Sequence, residues 1–270
     1  MADLRDRCAL VTVVALAFAC GCAATEPATR VKGKHVDLRV DLAPAEARQL
    51  AAEADRFLAS VSAYLRAREP TPRVYVFKNG WNLWLYLRRQ CPAFAGRTGA
   101  CFEADDGTLI VALKAGPNGR PAAASLRHEL THAVVGSGFT KPMPWLDEGL
   151  AQVFESGCPP VEDKERLAKL VRDVPGAERR LGNLLGLSRH GELDEDDYLL
   201  AWGFTWFLLQ DRACGRQAVL KCLGPSIAGE SAAERCIRCL GAPRGRIAGR
   251  FAAFLRSRQA AARRKSSPGE

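Results

Sequence analysis

Two histidines four residues apart constrain this chain more than any other feature in it. The segment Leu126-Arg127-His128-Glu129-Leu130-Thr131-His132-Ala133-Val134-Val135 has helical periodicity, with Leu126, Leu130, Ala133 and Val134 on one stripe. At about 100° per residue, His128 and His132 project roughly 165° from the centre of that stripe. Any fold containing this helix must bury its apolar face and leave the opposite face to a cleft or to solvent. One turn apart on that face, the two imidazoles can hold a single metal ion, with Glu129 beside a metal-bound water. The bland reading of the same residues is an ordinary amphipathic helix with a solvated polar face.

The elements around this helix predict an α+β fold. Val36 to Leu42 alternate as a half-buried strand, Pro44 to about Arg68 read as a long helix, and Arg73 to Phe77 as a buried strand. Trp81 to Arg89 form an aromatic-rich helix, and Ala100 to Leu113 a hairpin turning at Asp106-Gly107. After Pro117 to Pro121 the character changes to helices: Ala122 to Val135, Leu146 to Glu155, Glu162 to Val171 and Tyr198 to Asp211. The expected division is a signal segment over 1–22, a polar tether over 23–34, one domain over 35–240 and a basic tail over 241–270. Within the domain, 35–117 form the αβ half and 118–240 the helical half. The tail reads as helical or frayed.

Beyond His132 comes Pro144-Trp145-Leu146-Asp147-Glu148-Gly149-Leu150-Ala151, an acidic pair opening a helix. HELTH followed after a short turn by WLDEGLA closely resembles gluzincin metallopeptidases of the peptidase MA-like kind. The resemblance implies a zincin-like fold and one Zn²⁺ per chain, held by His128, His132 and Glu148, with Glu129 as general base. By the same analogy Tyr198, in Tyr198-Leu199-Leu200-Ala201-Trp202-Gly203-Phe204, donates a hydrogen bond to the oxyanion. His190 is the competing donor, and a half-buried packing role is the plain reading of Tyr198. Trp202 and Trp206 read as core. Aminopeptidase members carry an amine-binding glutamate in an upstream G-x-M-E-N strand; the matching region here is Gly99-Ala100-Cys101-Phe102-Glu103, with the acid displaced by one place. That favours an endopeptidase.

The net charge of +9 invites a nucleic-acid reading, yet the tail from Gly241 holds eight basic residues against Glu270, which leaves little for the body. No nucleic-acid partner is expected. Arg5 and Arg7, the uncharged run Cys8 to Ala19 and the Gly21-Cys22 pair read as an export signal of the bacterial lipoprotein type, with Cys22 as the lipidated residue and plain secretion as the alternative. Export would make the cysteines disulfide candidates. Cys91 and Cys101 are expected to close a loop, Cys158 to stay unpaired, and Cys214, Cys222, Cys236 and Cys239 to tie two short helices in any of three pairings. Cys236 and Cys239 form the alternative of a redox pair or half of a zinc site.

The functional expectation is an exported zinc metallopeptidase acting on a peptide or protein, in the cell envelope as a lipoprotein or secreted. The competing expectation is a noncatalytic envelope lipoprotein that uses the same scaffold to bind a protein or glycan. A third is a lipid- or nucleic-acid-binding protein acting through its C-terminal arginines.

Overall fold

Strand β3 (Arg73–Phe77) shows how the sheet is built, because its side chains alternate between two separate apolar clusters. The computed structural model describes residues 26–211 and 215–266; the expected signal segment, Cys22 and Cys214 lie outside them. Around β3 run β1 (Thr29–Lys32), β2 (Asp37–Val40), β4 (Gly99–Glu103) and β5 (Leu109–Lys114), in the order β1-β2-β3-β5-β4. β3 is parallel to β2 and β5, while β1 and β4 are antiparallel edges. Val74 and Val76 pair with Val111 and Leu113 on one face; Tyr75 pairs with Ala112 on the other. A strand buried on both faces needs a helix on each. Helix α1 (Pro44–Leu65) covers the first face with Leu50, Leu58, Val61 and Leu65, and α2 (Gly80–Gln90) covers the second with Leu83, Tyr86 and Leu87.

The helical half follows: α3 (Ala123–Gly138), α4 (Pro144–Phe154), α5 (Lys164–Leu170), α6 (Val174–Leu184), α7 (Glu195–Gln210), α8 (Gly215–Leu223), α9 (Ala232–Leu240) and α10 (Arg244–Ser266). The chain is thus α+β, with the five strands in its N-terminal part and helices after them. Every residue of α4 is buried, and so is the run Leu200 to Leu208 of α7, as expected of helices enclosed on all sides. Trp202 and Trp206 are core residues, 1% and 5% exposed. Gly149 lets α4 and α7 cross closely: a Cβ there would lie 2.1 Å from Thr205 Oγ1 and 2.5 Å from the Ala201 carbonyl. The start of α7 is fixed by Asp194, which accepts the Asp197 N–H at 2.8 Å, while Arg180 bridges both carboxylates.

Three expectations need correction. The tether is not all tether, because Thr29–Lys32 pairs with β2 as an edge strand; its TRVK alternation includes two cations, which mask the strand signal. The basic tail, read as helical or frayed, is helical over Arg244–Ser266 as α10, which buries Ile247, Phe251, Ala252 and Leu255. Cys91 and Cys101 do not close a loop. Cys91 packs with the α2 cluster and Cys101 with the cluster on the other sheet face, and both are free thiols. Cys222, Cys236 and Cys239, expected to tie two short helices, are free as well and form no bridge between α8 and α9; Cys158 is also free. Among the described residues no helix is long and apolar enough to cross a membrane.

Candidate metal centre

The polar face of α3 meets the first turn of α4, and three donors converge there. His128 Nε2 and His132 Nε2 lie 3.2 Å apart, with ring planes at 78°. Glu148 Oε2 is 3.6 Å from the first nitrogen and 3.7 Å from the second. Ligands about 2.0–2.1 Å from a tetrahedral ion are separated by about 3.3 Å, so this spacing fits one shared cation. Among the described residues, His128, His132 and Glu148 form the one group of three His, Cys, Asp or Glu residues able to hold a metal ion. They can hold one.

The far nitrogen of each imidazole is engaged. His128 Nδ1 lies 2.8 Å from Glu155 Oε1, and His132 Nδ1 lies 3.0 Å from Asp147 Oδ1. A carboxylate at Nδ1 places the proton there and leaves the Nε2 lone pair for a metal. Glu155 is steadied in turn by Arg166, whose Nη2 donates to Oε2 at 2.6 Å, and Arg127 donates to the Glu155 carbonyl at 3.0 Å. Asp147 uses its second oxygen on His190 Nε2 at 2.8 Å. These partners were not assigned from the sequence. Glu155 lies seven residues past Glu148, two turns along the same helix face, and Asp147 is its immediate neighbour. Periodicity could have flagged both as site-facing but not which imidazole each would meet.

The carboxylates around the imidazoles favour positive charge at this centre. Burial disfavours the charged form of His132, yet Asp147, Glu148 and Glu129 outweigh it and lift its pKa to about 10. Burial alone would raise Asp147, but His132 and His190 hold it well below the usual carboxylate range. Glu129 is 9% exposed, and burial, with Glu148 adding to it, pushes its pKa up against the opposing pull of the two histidines. The His190 pKa is raised by its hydrogen bond to Asp147.

Glu129 lies against the edge of the sheet. A Cβ on Gly99 would sit 2.6 Å from Glu129 Oε1, so only glycine lets the strand approach this closely. A cleft of about 510 Å³ opens here, lined by Arg97, Thr98, Gly99, His128, Glu129 and Glu155 among others. Hydrogen bonds at Thr98 O to Lys114 N and at Ala104 N to Thr108 O fix the β4–β5 ladder. The alternation points the Gly99 and Cys101 backbone groups away from β5.

The structure therefore brings His128, His132, Glu148 and Glu129 together. Tyr198 is half-buried on the first turn of α7; burial raises its pKa, Glu148 adds to the rise, and a hydrogen bond with Arg97 opposes it. His190 reaches the centre through Asp147. Glu103 stands exposed at the opposite end of β4 from Gly99, about 13 Å along the strand. No model of a known protein family matches the chain, and no curated protein matches it either.

Proposed function

We propose that the protein is an exported zinc metallopeptidase of gluzincin type on a zincin-like scaffold. The observation that carries this reading is the convergence of His128, His132 and Glu148 at tetrahedral spacing, with Glu129 beside them at the wall of a cleft. Two imidazoles and one carboxylate suit zinc and leave one coordination position open. Zinc would polarise a substrate carbonyl and acidify a bound water.

The chain's own residues would do the rest. Asp147 and Glu155 hold the two imidazoles in the metal-binding tautomer. Glu129 takes the water's proton, and its burial-raised pKa also suits it to pass that proton to the leaving amine nitrogen. Tyr198 or His190 donates a hydrogen bond to the carbonyl oxygen as it gains charge. The outward backbone groups of β4 pair with an extended peptide chain across the cleft. Glu103 is too far along β4 to hold a substrate amine beside Glu129, which supports endopeptidase over aminopeptidase action.

A pool of internally quenched peptides, incubated with zinc-loaded wild type and with Glu129→Gln, tests the reading. Cleavage by wild type that disappears in a variant still holding metal supports it. Equal cleavage by both would sink it. A metal-loaded chain that cleaves nothing, yet retains an envelope protein or glycan equally well with Glu129→Gln, belongs to the noncatalytic alternative.

A further inference from the structure

The outer face of α2 serves neither the core nor the metal centre. Its inner residues Leu83, Tyr86 and Leu87 already cover the sheet. On the other side Trp81 is 61% exposed, one of three large apolar side chains so exposed among the described residues. The Trp81 and Trp84 rings stack at 4.9 Å with 20° between planes, and the Arg88 guanidinium lies 5.0 Å over the Trp84 ring. Half-buried Leu85 adjoins them, one turn from Trp81. Exposed Lys78 precedes the helix, and the stem of exposed Lys114 passes its first residue, Gly80.

The charge of this region is one-sided. From Pro70 through Phe102 the chain has no aspartate or glutamate; Lys78, Arg88 and Arg89 lie on or beside α2, whereas Arg73 pairs with Asp106 and Arg97 lines the metal cleft. Solvated surfaces ordinarily intersperse both signs. Tryptophan prefers the boundary between lipid and water, and cations beside it gain from anionic headgroups. A neutral glycan would also stack on Trp81 but would not account for the missing acids.

We propose that the outer face of α2 docks on an anionic lipid surface. Trp81 and Trp84 enter the headgroup region, and Lys78, Arg88 and Lys114 meet the lipid phosphates. This contact is separate from any lipid on Cys22 and does not depend on the peptidase reading.

The five tryptophans make the test selective. Trp145, Trp202 and Trp206 are 0%, 1% and 5% exposed, so brominated acyl chains can quench only Trp81 and Trp84 on contact. The full chain is mixed with brominated vesicles of phosphatidylcholine, with or without phosphatidylglycerol. Quenching is expected on the anionic vesicles and not on the neutral ones. It should vanish in Trp81→Ala/Trp84→Ala, fall in Trp81→Ala alone, and need about fivefold more lipid in Arg88→Gln. Unchanged melting temperature identifies the variants as folded. Absent quenching on anionic vesicles overturns the proposal, even where the protein floats with them, since the contact then lies elsewhere. Quenching that survives in the double variant overturns it too. A fluorescence change with a soluble oligosaccharide, and none with vesicles, would give the face to a glycan.

Discussion

Two polar clusters in the helical half invite comparison. At α3 and α4, two histidines and a glutamate aim donor atoms at one point, and each imidazole is held from behind by a carboxylate. At α8 and α9, buried Cys222, Cys236 and Cys239 also come from two adjacent helices. There the polar atoms serve one another: the Cys222 thiol bonds with Cys239, which donates to the Lys221 carbonyl at 3.3 Å, and that bond together with burial keeps the Cys222 pKa high. The difference is direction. In the first cluster the partners leave lone pairs facing a shared point; in the second they consume them within a packed core.

Glu129→Gln should separate the clusters most sharply. It removes the proton acceptor but no ligand, so turnover should fall by about 10²–10⁴-fold with metal content intact. No substitution at Cys222, Cys236 or Cys239 should approach that loss in a peptidase assay.

Next come the residues behind the imidazoles. Asp147→Ala or Glu155→Gln should weaken zinc affinity by about 10–100-fold, read by competition with a chromogenic chelator. Cys239→Ala should leave that affinity unchanged. A matching loss there would mean the thiol cluster feeds the metal site and would erase the distinction drawn above.

How much of this was legible beforehand follows the same division. The spacing of His128 and His132 is a local property of one helix; the apolar run of Arg73–Phe77 is likewise local, and the structure forms a buried strand over the same residues. Cys91 and Cys101 misled because ten residues of separation say nothing about sheet faces. The strand register decides that, and it puts Cys101 opposite Val111. In α10 the signal was present, with Ile247, Phe251 and Leu255 at helical spacing, but the arginines between them dominated the reading. Asp147 beside Glu148 was visible only as an acid at a helix start. Its place between His132 and His190 depends on three separate segments meeting, which no local pattern encodes.

Smaller effects sharpen the contrast on the side of stability. Gly149→Ala would force α4 away from Thr205 and Ala201 and should cost about 1–3 kcal/mol in denaturant unfolding, with a parallel loss of zinc affinity because Glu148 is adjacent. Cys222→Ser puts a hydroxyl into a fully buried site and should cost about 0.5–3 kcal/mol, with zinc affinity unaffected. Two variants of similar instability would then differ in metal binding alone.

The central claim is that His128, His132 and Glu148 form one metal site with Glu129 beside it as a reactive group. Its most direct test is metal stoichiometry by mass spectrometry on folded wild type, His132→Ala, Glu148→Gln and Glu129→Gln after zinc loading and removal of excess. The account predicts one zinc per wild-type chain, kept in Glu129→Gln and lost or sharply weakened in the other two. Folded wild type that takes up no zinc, or a stoichiometry unchanged by His132→Ala, would contradict it.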